Sequence, residues 1–195
     1  MAAMENRMLI MECAKELFYE KGYDAVGVQE IVDRAGITKP TLYYYFGSKL
    51  GLLRTLMDTK FDVFRGLVKE SVKENQDIIE VLYRLANAFC DFFEKDREFY
   101  MLMMALFYSA RKNDAYQVVK PFVVEFYETV VRVFENAADQ LGNMNGRQKQ
   151  FAIGFIGTIN HYILLQCEVD PAHEEEIDEQ QITSLVNQFM YGIFT

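Results

Sequence analysis

The segment KPTLYYYF (residues 39–46) carries closely spaced polar and aromatic side chains, among them Lys39, Thr41, Tyr43 and Tyr44. An ammonium group, a hydroxyl and two phenols form hydrogen bonds, and the phenol rings also pack on flat apolar groups. Successive residues of a helix turn by about 100°, so consecutive tyrosines cannot all point into a core. The segment therefore predicts a short helix with an exposed face suited to recognising a polar, grooved partner.

Two short helices joined by a glycine turn must position this face. Residues 28–35 have helical spacing, and Gly36 then supplies the turn conformation that a residue with a Cβ disfavours. Thr38 can cap the second helix by accepting a hydrogen bond from a backbone N–H group. Leu42 and Phe46 are four residues apart and face inward together. This pattern is a helix-turn-helix.

A helix about 10–12 Å across fits the major groove of B-DNA, where each base pair presents a distinct pattern of donors and acceptors. The second helix is therefore predicted to read DNA. Gln29, near the start of the first helix, could contact a phosphate or a base edge, and the predominance of phosphate contacts favours the phosphate. The candidate DNA-binding residues from this segment are Gln29, Thr38, Lys39, Pro40, Thr41, Tyr43 and Tyr44.

Residues 5–60 resemble the TetR family of transcriptional regulators. The matching residues are Ile31, Ala35-Gly36-Ile37-Thr38-Lys39, Thr41-Leu42-Tyr43, Phe46, Ser48-Lys49 and Leu52-Leu53. Val32 stands where the family would have a smaller alanine, and Pro40 where glycine is common. The resemblance implies a small-molecule effector. Reading two half-sites together predicts a homodimer on a palindromic operator. The resemblance also favours a phosphate contact for Lys49, in the first turn of a fourth helix, over an ordinary surface position.

Charge is distributed unevenly along the chain. Residues 1–60 hold eight basic and eight acidic residues, so the net charge of −9 lies entirely in the remainder. An acidic body argues against indiscriminate nucleic-acid binding and leaves a neutral N-terminal segment to face DNA. No large basic patch accompanies this arrangement.

No further chemistry is evident in the sequence. The longest apolar run, residues 99–108, is too short to span a bilayer, and the N-terminus lacks a signal-peptide pattern, so a cytoplasmic protein is expected. Cys13, Cys90 and Cys167 lack metal-site spacing and are expected to be reduced thiols. The acidic segment 168–179 does not match a calcium-binding loop, and a solvated face is favoured. Neither a metal nor a cofactor is predicted.

The whole chain is predicted to be all-α, with about nine helices. A helix-turn-helix domain is expected over residues 1–47, and an effector-binding and dimerisation domain over 48–195, linked by a fourth helix over 48–73. The first, second and fifth helices are predicted over 5–21, 28–35 and Ile78–Lys95. The sixth begins at Asp96-Arg97, and the seventh, which Pro121 could divide into two pieces, ends near Gly142. The last two are predicted over Arg147–Glu168 and Glu179–Phe194.

Aromatic and methionine side chains are concentrated in the middle of the chain. Such side chains suit an apolar or aromatic effector, although the same stripe is also typical of plain core. The candidate ligand-binding residues are Phe64, Phe89, Phe93, Tyr100, Met103, Met104, Phe107, Tyr108, Phe126, Tyr127, Phe155 and Tyr162.

The last two helices are predicted to form a four-helix interface with a second copy, because two-fold symmetry lets two half-sites be read together. They could instead close the subunit's own bundle. The candidate interface residues are Ile153, Gly154, Gly157, Ile182, Leu185, Val186, Phe189 and Met190.

The sequence therefore predicts a ligand-responsive regulator, a repressor that leaves its operator when a small apolar molecule binds. The alternative is a helical dimeric interaction module without effector-controlled DNA binding. An enzyme is disfavoured, because His161 and His173 are remote from any nucleophile turn, metal-binding pair or phosphate loop.

Overall fold

The structure is a computed structural model that describes residues 2–72, 77–142, 144–169 and 177–192, with the side chains of 2–4 and 167–169 left out. In those ranges helices are the only regular secondary structure, which confirms the predicted fold class. The helices are α1 (Ala2–Lys21), α2 (Val28–Ala35), α3 (Lys39–Phe46), α4 (Lys49–Ser71), α5 (Ile78–Lys95), α6 (Arg97–Phe107), α7 (Asp114–Asn136), α8 (Gln148–Val169) and α9 (Glu179–Tyr191). The acidic segment proposed as a solvated face lies mostly outside the described residues.

Local signals set most of the helix ends. Gly22 and Gly36 follow α1 and α2 with φ of +82° and +65°, a conformation that glycine adopts without strain. Ser48 accepts a hydrogen bond from the backbone N–H of Gly51 at 2.9 Å, and so caps α4 as a serine in this position can. Asp77 accepts from the backbone N–H of Ile79 at 2.8 Å and caps α5 in the same way.

Pro121 does not divide the seventh helix, and the predicted end of that helix near Gly142 is wrong. Helix α7 runs without interruption through Pro121 and ends at Asn136 rather than near Gly142. A proline inside a helix removes one backbone hydrogen bond and costs about 3 kcal/mol. Packing on both sides offsets this cost, since Phe122 stacks on Phe61 with ring centroids 4.5 Å apart and Val119 is fully buried.

The chain forms two compact units, and helices α4 and α7 contribute to both. Unit 1 comprises Met1–Val63 and Asp96–Val123. In it α1 packs against both α2 and α6, and α2 packs against α3. Its core includes the fully buried Leu17 and Leu42. Unit 1 therefore contains the helix-turn-helix together with α6, whereas the domain boundary predicted after residue 47 stays a prediction.

Unit 2 comprises Phe64–Lys95 and Val124–Thr195. Its helix α5 packs against α8 and α9, which also pack against each other. An aromatic cluster joins Phe64, Phe89, Phe92 and Phe126, with Phe64 stacked on Phe92 at 4.6 Å between ring centroids. Burial of these rings supplies much of the hydrophobic stabilisation of the unit.

Across the described segments, no helix is both long and apolar enough to cross a membrane. Cys13 and Cys90 are buried free thiols, and the side chain of Cys167 lies outside the described residues. Burial raises the pKa of the Cys90 thiol to about 12 and that of the Cys13 thiol above its usual value. Both thiols are therefore protonated at neutral pH and poorly reactive.

Candidate nucleic-acid interface

The exposed face of α3 is held in place by a buried face. Leu42 is fully buried and Phe46 is 8% exposed. On α2, Ile31 and Val32 are buried as well, so the valine found in place of a smaller residue is accommodated in the core. With α3 anchored on one side, its opposite side must face solvent.

The predicted outward residues are found on that side. Tyr44 is 85% exposed and Tyr43 is 46% exposed. Lys39 and Pro40 are exposed, and Thr41 is half-buried. Tyr45 is half-buried and packs edge-on against Tyr44, with ring centroids 5.3 Å apart.

Thr38 occupies the cap position of α3, but its side chain does not cap the helix as predicted. Its hydroxyl forms a hydrogen bond of 2.9 Å with the Thr41 hydroxyl, and no backbone N–H group of α3 donates to it. The two hydroxyls satisfy each other on the exposed side. Both can still bond to a nucleic acid, because a hydroxyl offers one donor and two acceptor lone pairs.

Gln29 is exposed, and its side-chain amide donates to the Asp33 carboxylate at 2.7 Å, within α2. A contact between this amide nitrogen and a phosphate would use its second hydrogen, since an amide carries two donors. The assignment of Gln29 to DNA stays a prediction.

Lys49 lies at the start of α4 and is used inside the protein. Its ammonium group donates to the backbone carbonyls of Tyr23 and Val26, each at 2.9 Å, and lies 4.2 Å from the centroid of the Tyr23 ring. Burial lowers the pKa of Lys49, opposed by the nearby Asp24 carboxylate. An ammonium group has three donors, and the two carbonyls accept from two of them. Lys49 therefore anchors the segment between α1 and α2, and its phosphate contact stays a prediction.

The structure separates the cations of residues 5–60 into two groups. Carboxylates neutralise Lys15, Lys21, Arg34 and Lys60. Within the same described stretch, no carboxylate lies within ion-pair distance of Arg7, Lys39, Lys49 or Arg54. Charges without counter-ions are available to phosphates, which release bound salt ions on contact.

Sequence reasoning missed Arg7 and Arg54. The guanidinium carbon of Arg7 lies 5.9 Å from the centroid of the Phe46 ring, at the end of α3. One local signal pointed to Arg7: no acidic residue stands three or four positions away from it in the sequence. The ion pairs of Lys21, Arg34 and Lys60 join different elements of the fold, so spacing within one helix could not predict them.

Gly51 was also missed. A Cβ atom built on Gly51 would lie 2.0 Å from the backbone carbonyl oxygen of Phe46. The first turn of α4 therefore packs directly against the last carbonyl of α3. Glycine makes this approach possible, so Gly51 helps to set the position of the exposed helix.

The candidate ligand residues differ in their surroundings. Phe64, Phe89 and Phe126 pack on one another, with ring centroids 4.5–5.2 Å apart. Tyr100 is fully buried, whereas Tyr108 is 67% exposed. Two surface clefts in unit 2, of about 270 and 410 Å³, are lined by other residues, among them Phe151 and Tyr83. The predicted effector cavity stays a prediction.

The candidate interface residues are divided between the subunit's own core and its surface. Ile182 and Val186 are each 3% exposed, and Phe189 packs on Phe155 with ring centroids 5.4 Å apart. These side chains already contact their own unit, as the alternative prediction has it. Ile153 is 61% exposed, and Leu165, also on α8, is 58% exposed. Helix α8 therefore carries large exposed apolar side chains, and the predicted interface stays a prediction.

Two kinds of comparison with known proteins give matches: a family model matches the helix-turn-helix region, and a relative matches most of the chain. Residues 10–56 match the family described as "Bacterial regulatory proteins, tetR family". The HTH-type transcriptional activator FasR of Mycolicibacterium smegmatis is 35% identical over 193 residues, which is 96% of this chain and 82% of FasR.

Two solved structures share the fold at low sequence identity. A putative fatty acid metabolism regulator of Clostridium perfringens has a TM-score of 0.81 at 19% identity, covering 96% of this chain and 99% of that one. The transcriptional regulator FadR of Bacillus subtilis, solved in complex with stearoyl-CoA, has a TM-score of 0.78 at 18% identity, covering 95% and 98%.

Proposed function

Since the chain belongs to the TetR family and is a DNA-binding transcriptional regulator, we propose that α3 reads an operator half-site and that a small effector controls this binding. The exposure of Tyr43 and Tyr44 beside the buried Leu42 carries the proposal. A helix anchored on one side and open on the other can enter a major groove without rearrangement of its core.

The proposed DNA contacts fall into two classes. The α3 side chains Lys39, Thr41, Tyr43 and Tyr44 would approach base edges and the adjoining backbone. Arg7, Arg54 and the remaining donor of Lys49 would contact phosphates. Phosphate contacts fix the register of a protein on the duplex, and base contacts supply the sequence preference.

Replacing Tyr44 with alanine is expected to weaken operator binding by about 1–3 kcal/mol per subunit, because the variant can no longer contact a base at this position. The operator is first selected from random duplexes, and affinity is then measured by fluorescence anisotropy over a range of salt concentrations. The slope of log affinity against log salt should not change. Lys39→Met, by contrast, should make the slope shallower by about 0.9 for each phosphate that the variant no longer neutralises.

Tyr19→Ala is the matched control, because Tyr19 is 46% exposed on α1 and has no proposed DNA role. Its affinity should equal that of the parent. Equal affinities for the parent and Tyr44→Ala would reject the role of α3. Absence of any selected duplex would favour the alternative, a helical interaction module without DNA binding.

We propose a homodimer formed through α8 and α9, centred on the exposed side of α8. The support is Ile153 and Leu165, whose large apolar side chains are more than half exposed. Exposed apolar side chains on one helix are typical of an interface. Two copies would place two α3 helices about 34 Å apart, or somewhat more, on one palindrome.

Ile153→Asp is expected to convert the dimer to monomers, because a buried interface does not tolerate an unpaired carboxylate. Light scattering at micromolar concentration measures the change, and circular dichroism checks the helix content. The control is Val63→Asp, at a similarly exposed valine on α4. A dimer that persists in Ile153→Asp would contradict this interface.

We propose that the effector has a long apolar part, such as the acyl chain of an acyl thioester. The B. subtilis structure of the same fold contains stearoyl-CoA, and the aromatic and methionine side chains of α5–α7 suit an apolar ligand. Binding would release the operator only if the effector prefers the DNA-free state. Whether the protein represses or activates transcription then depends on where the operator lies. A protein bound at a site that blocks transcription is the predicted repressor. A protein bound at an upstream site could be an activator, as the name of FasR states for that relative.

A further inference from the structure

The first turn of α6 begins at a carboxylate with three partners. Asp96 is the N-terminal cap of α6, and its Oδ1 accepts a hydrogen bond from the backbone N–H of Phe99 at 3.1 Å. The same oxygen accepts from the ammonium group of Lys15 at 2.9 Å. Its Oδ2 accepts from the ammonium group of Lys60. One side chain thus joins α6 to α1, which carries Lys15, and to α4, which carries Lys60.

The Lys15 ammonium needs a counter-charge more than the ammonium of an exposed lysine would, because it is buried. The side chain of Lys15 is 6% exposed, and that of Asp96 is 14% exposed. Burial alone would lower the pKa of Lys15, but hydrogen bonds to Glu12 and Asp96 outweigh it and raise the pKa above the usual range. A buried ammonium group without a counter-charge is strongly unfavourable.

Two further carboxylates lie at the edge of the cluster. Glu12 pairs with the Lys15 ammonium at 2.5 Å within α1 and has a carboxylate oxygen 3.8 Å from the Lys60 ammonium. A carboxylate oxygen of Glu98 lies 3.2 Å from the Lys15 ammonium. The side chains of Glu12 and Glu98 are 48% and 44% exposed, so water screens them more than it screens Asp96. Burial would raise the pKa of Asp96, but the two lysines lower it. Asp96 is therefore the least exposed of the three carboxylates around Lys15, and the one of them that also caps α6.

The two helices that Asp96 holds are also the two that support α3. Helix α1 packs against α2, which packs against α3. Helix α4 approaches the end of α3 at Gly51, where a Cβ atom would lie 2.0 Å from the Phe46 carbonyl oxygen. A change at Asp96 can therefore alter the position of α3 relative to α6 without touching any residue of the DNA-reading face.

We propose that Asp96 is a positioning residue for DNA reading, which fixes α3 relative to α6 through Lys15 and Lys60. The inference rests on the proposed function, since it presumes that α3 reads DNA. A simple stabilising ion pair would affect only folding. A positioning residue also affects how strictly the protein measures the distance between half-sites, because loosely held α3 helices can adapt to a longer or shorter separation.

The test compares two duplexes for each variant: the selected operator, and the same operator with one base pair inserted between its half-sites. The readout is the ratio of the two affinities at a temperature where every variant is folded by circular dichroism. Asp96→Asn is the principal variant, because asparagine keeps the oxygen that caps α6 while removing the charge. The control is Glu30→Gln, at a carboxylate whose side chain is 36% exposed and which pairs with Lys21 in the same unit.

Asp96→Asn is expected to bind the selected operator at least fivefold more weakly and to lose at least threefold of its preference over the longer duplex. The salt dependence should equal that of the parent, since no phosphate contact is removed. Asp96→Glu should recover part of the preference, because it restores the charge. Glu30→Gln should behave like the parent.

An unchanged preference in folded Asp96→Asn would overturn the proposal and leave Asp96 a stabilising contact. If Asp96→Asn does not fold, Lys60→Met serves instead, since it removes one arm and leaves the pair of Lys15 and Asp96. That variant should lose preference in the same direction, and an unchanged preference would again overturn the proposal. A parent protein that binds no duplex would contradict the proposed function itself, which is a different result.

Discussion

Replacing Gly51 with alanine is expected to weaken operator binding at least tenfold and to lower the free energy of unfolding by about 1–3 kcal/mol. The added Cβ would lie 2.0 Å from the carbonyl oxygen of Phe46, a backbone atom that cannot rotate away. Helices α3 and α4 must therefore separate at this point, and α3 carries Tyr43 and Tyr44. Urea unfolding and operator titration measure the two effects separately.

Gly66→Ala is the matched control, because Gly66 lies in the same helix, is exposed and has no atom within 4 Å of the position that a Cβ would occupy. Alanine should stabilise the helix there by about 0.5–1 kcal/mol. If Gly51→Ala raised stability as Gly66→Ala does and bound the operator normally, the close approach of α4 to α3 would be refuted.

Replacing Phe64 with alanine is expected to lower the free energy of unfolding by about 3–5 kcal/mol, the usual cost of removing a buried aromatic ring. Phe64 is 5% exposed and packs against Phe89, Phe92 and Phe126, with ring centroids 4.6–5.2 Å away. The substitution would leave a cavity among three rings that cannot all move to fill it. Thermal and urea unfolding provide the measurement.

The same experiment bears on the effector cavity. Phe64 is a candidate ligand residue, and a ring that lines an open cavity is removed at a lower cost, about 1 kcal/mol or less, because part of its surface meets solvent. Tyr108→Ala provides the comparison, since Tyr108 is 67% exposed and should change stability by no more than about 0.5 kcal/mol. A small destabilisation in Phe64→Ala would indicate that this ring faces a cavity.

Local chemistry made much of the fold predictable. Helix α2 and the start of α3 have the predicted bounds, because glycine and proline act within one turn of their own position. Ser48 and Asp77 cap the helices that follow them through the same kind of local chemistry. The exposure of the α3 tyrosines also followed from helical geometry alone.

The contacts of Lys49 and Asp96 could not be predicted in the same way. The partners of Lys49 are backbone carbonyls 26 and 23 residues away, and those of Asp96 lie 81 and 36 residues away. No spacing rule within a helix reaches such distances. The possible division of the seventh helix at Pro121 could not be judged from the sequence for a related reason. Packing between elements outweighed the local tendency of proline to break a helix.

The very high exposure of Tyr44 makes its position suitable for a fluorescent probe. The chain contains no tryptophan, so Tyr44→Trp would introduce a single indole on the face proposed to meet DNA. Its emission could be excited apart from the tyrosines and would shift to the blue as water leaves its surroundings. Contact with a duplex could then be followed on the millisecond timescale without attaching a dye.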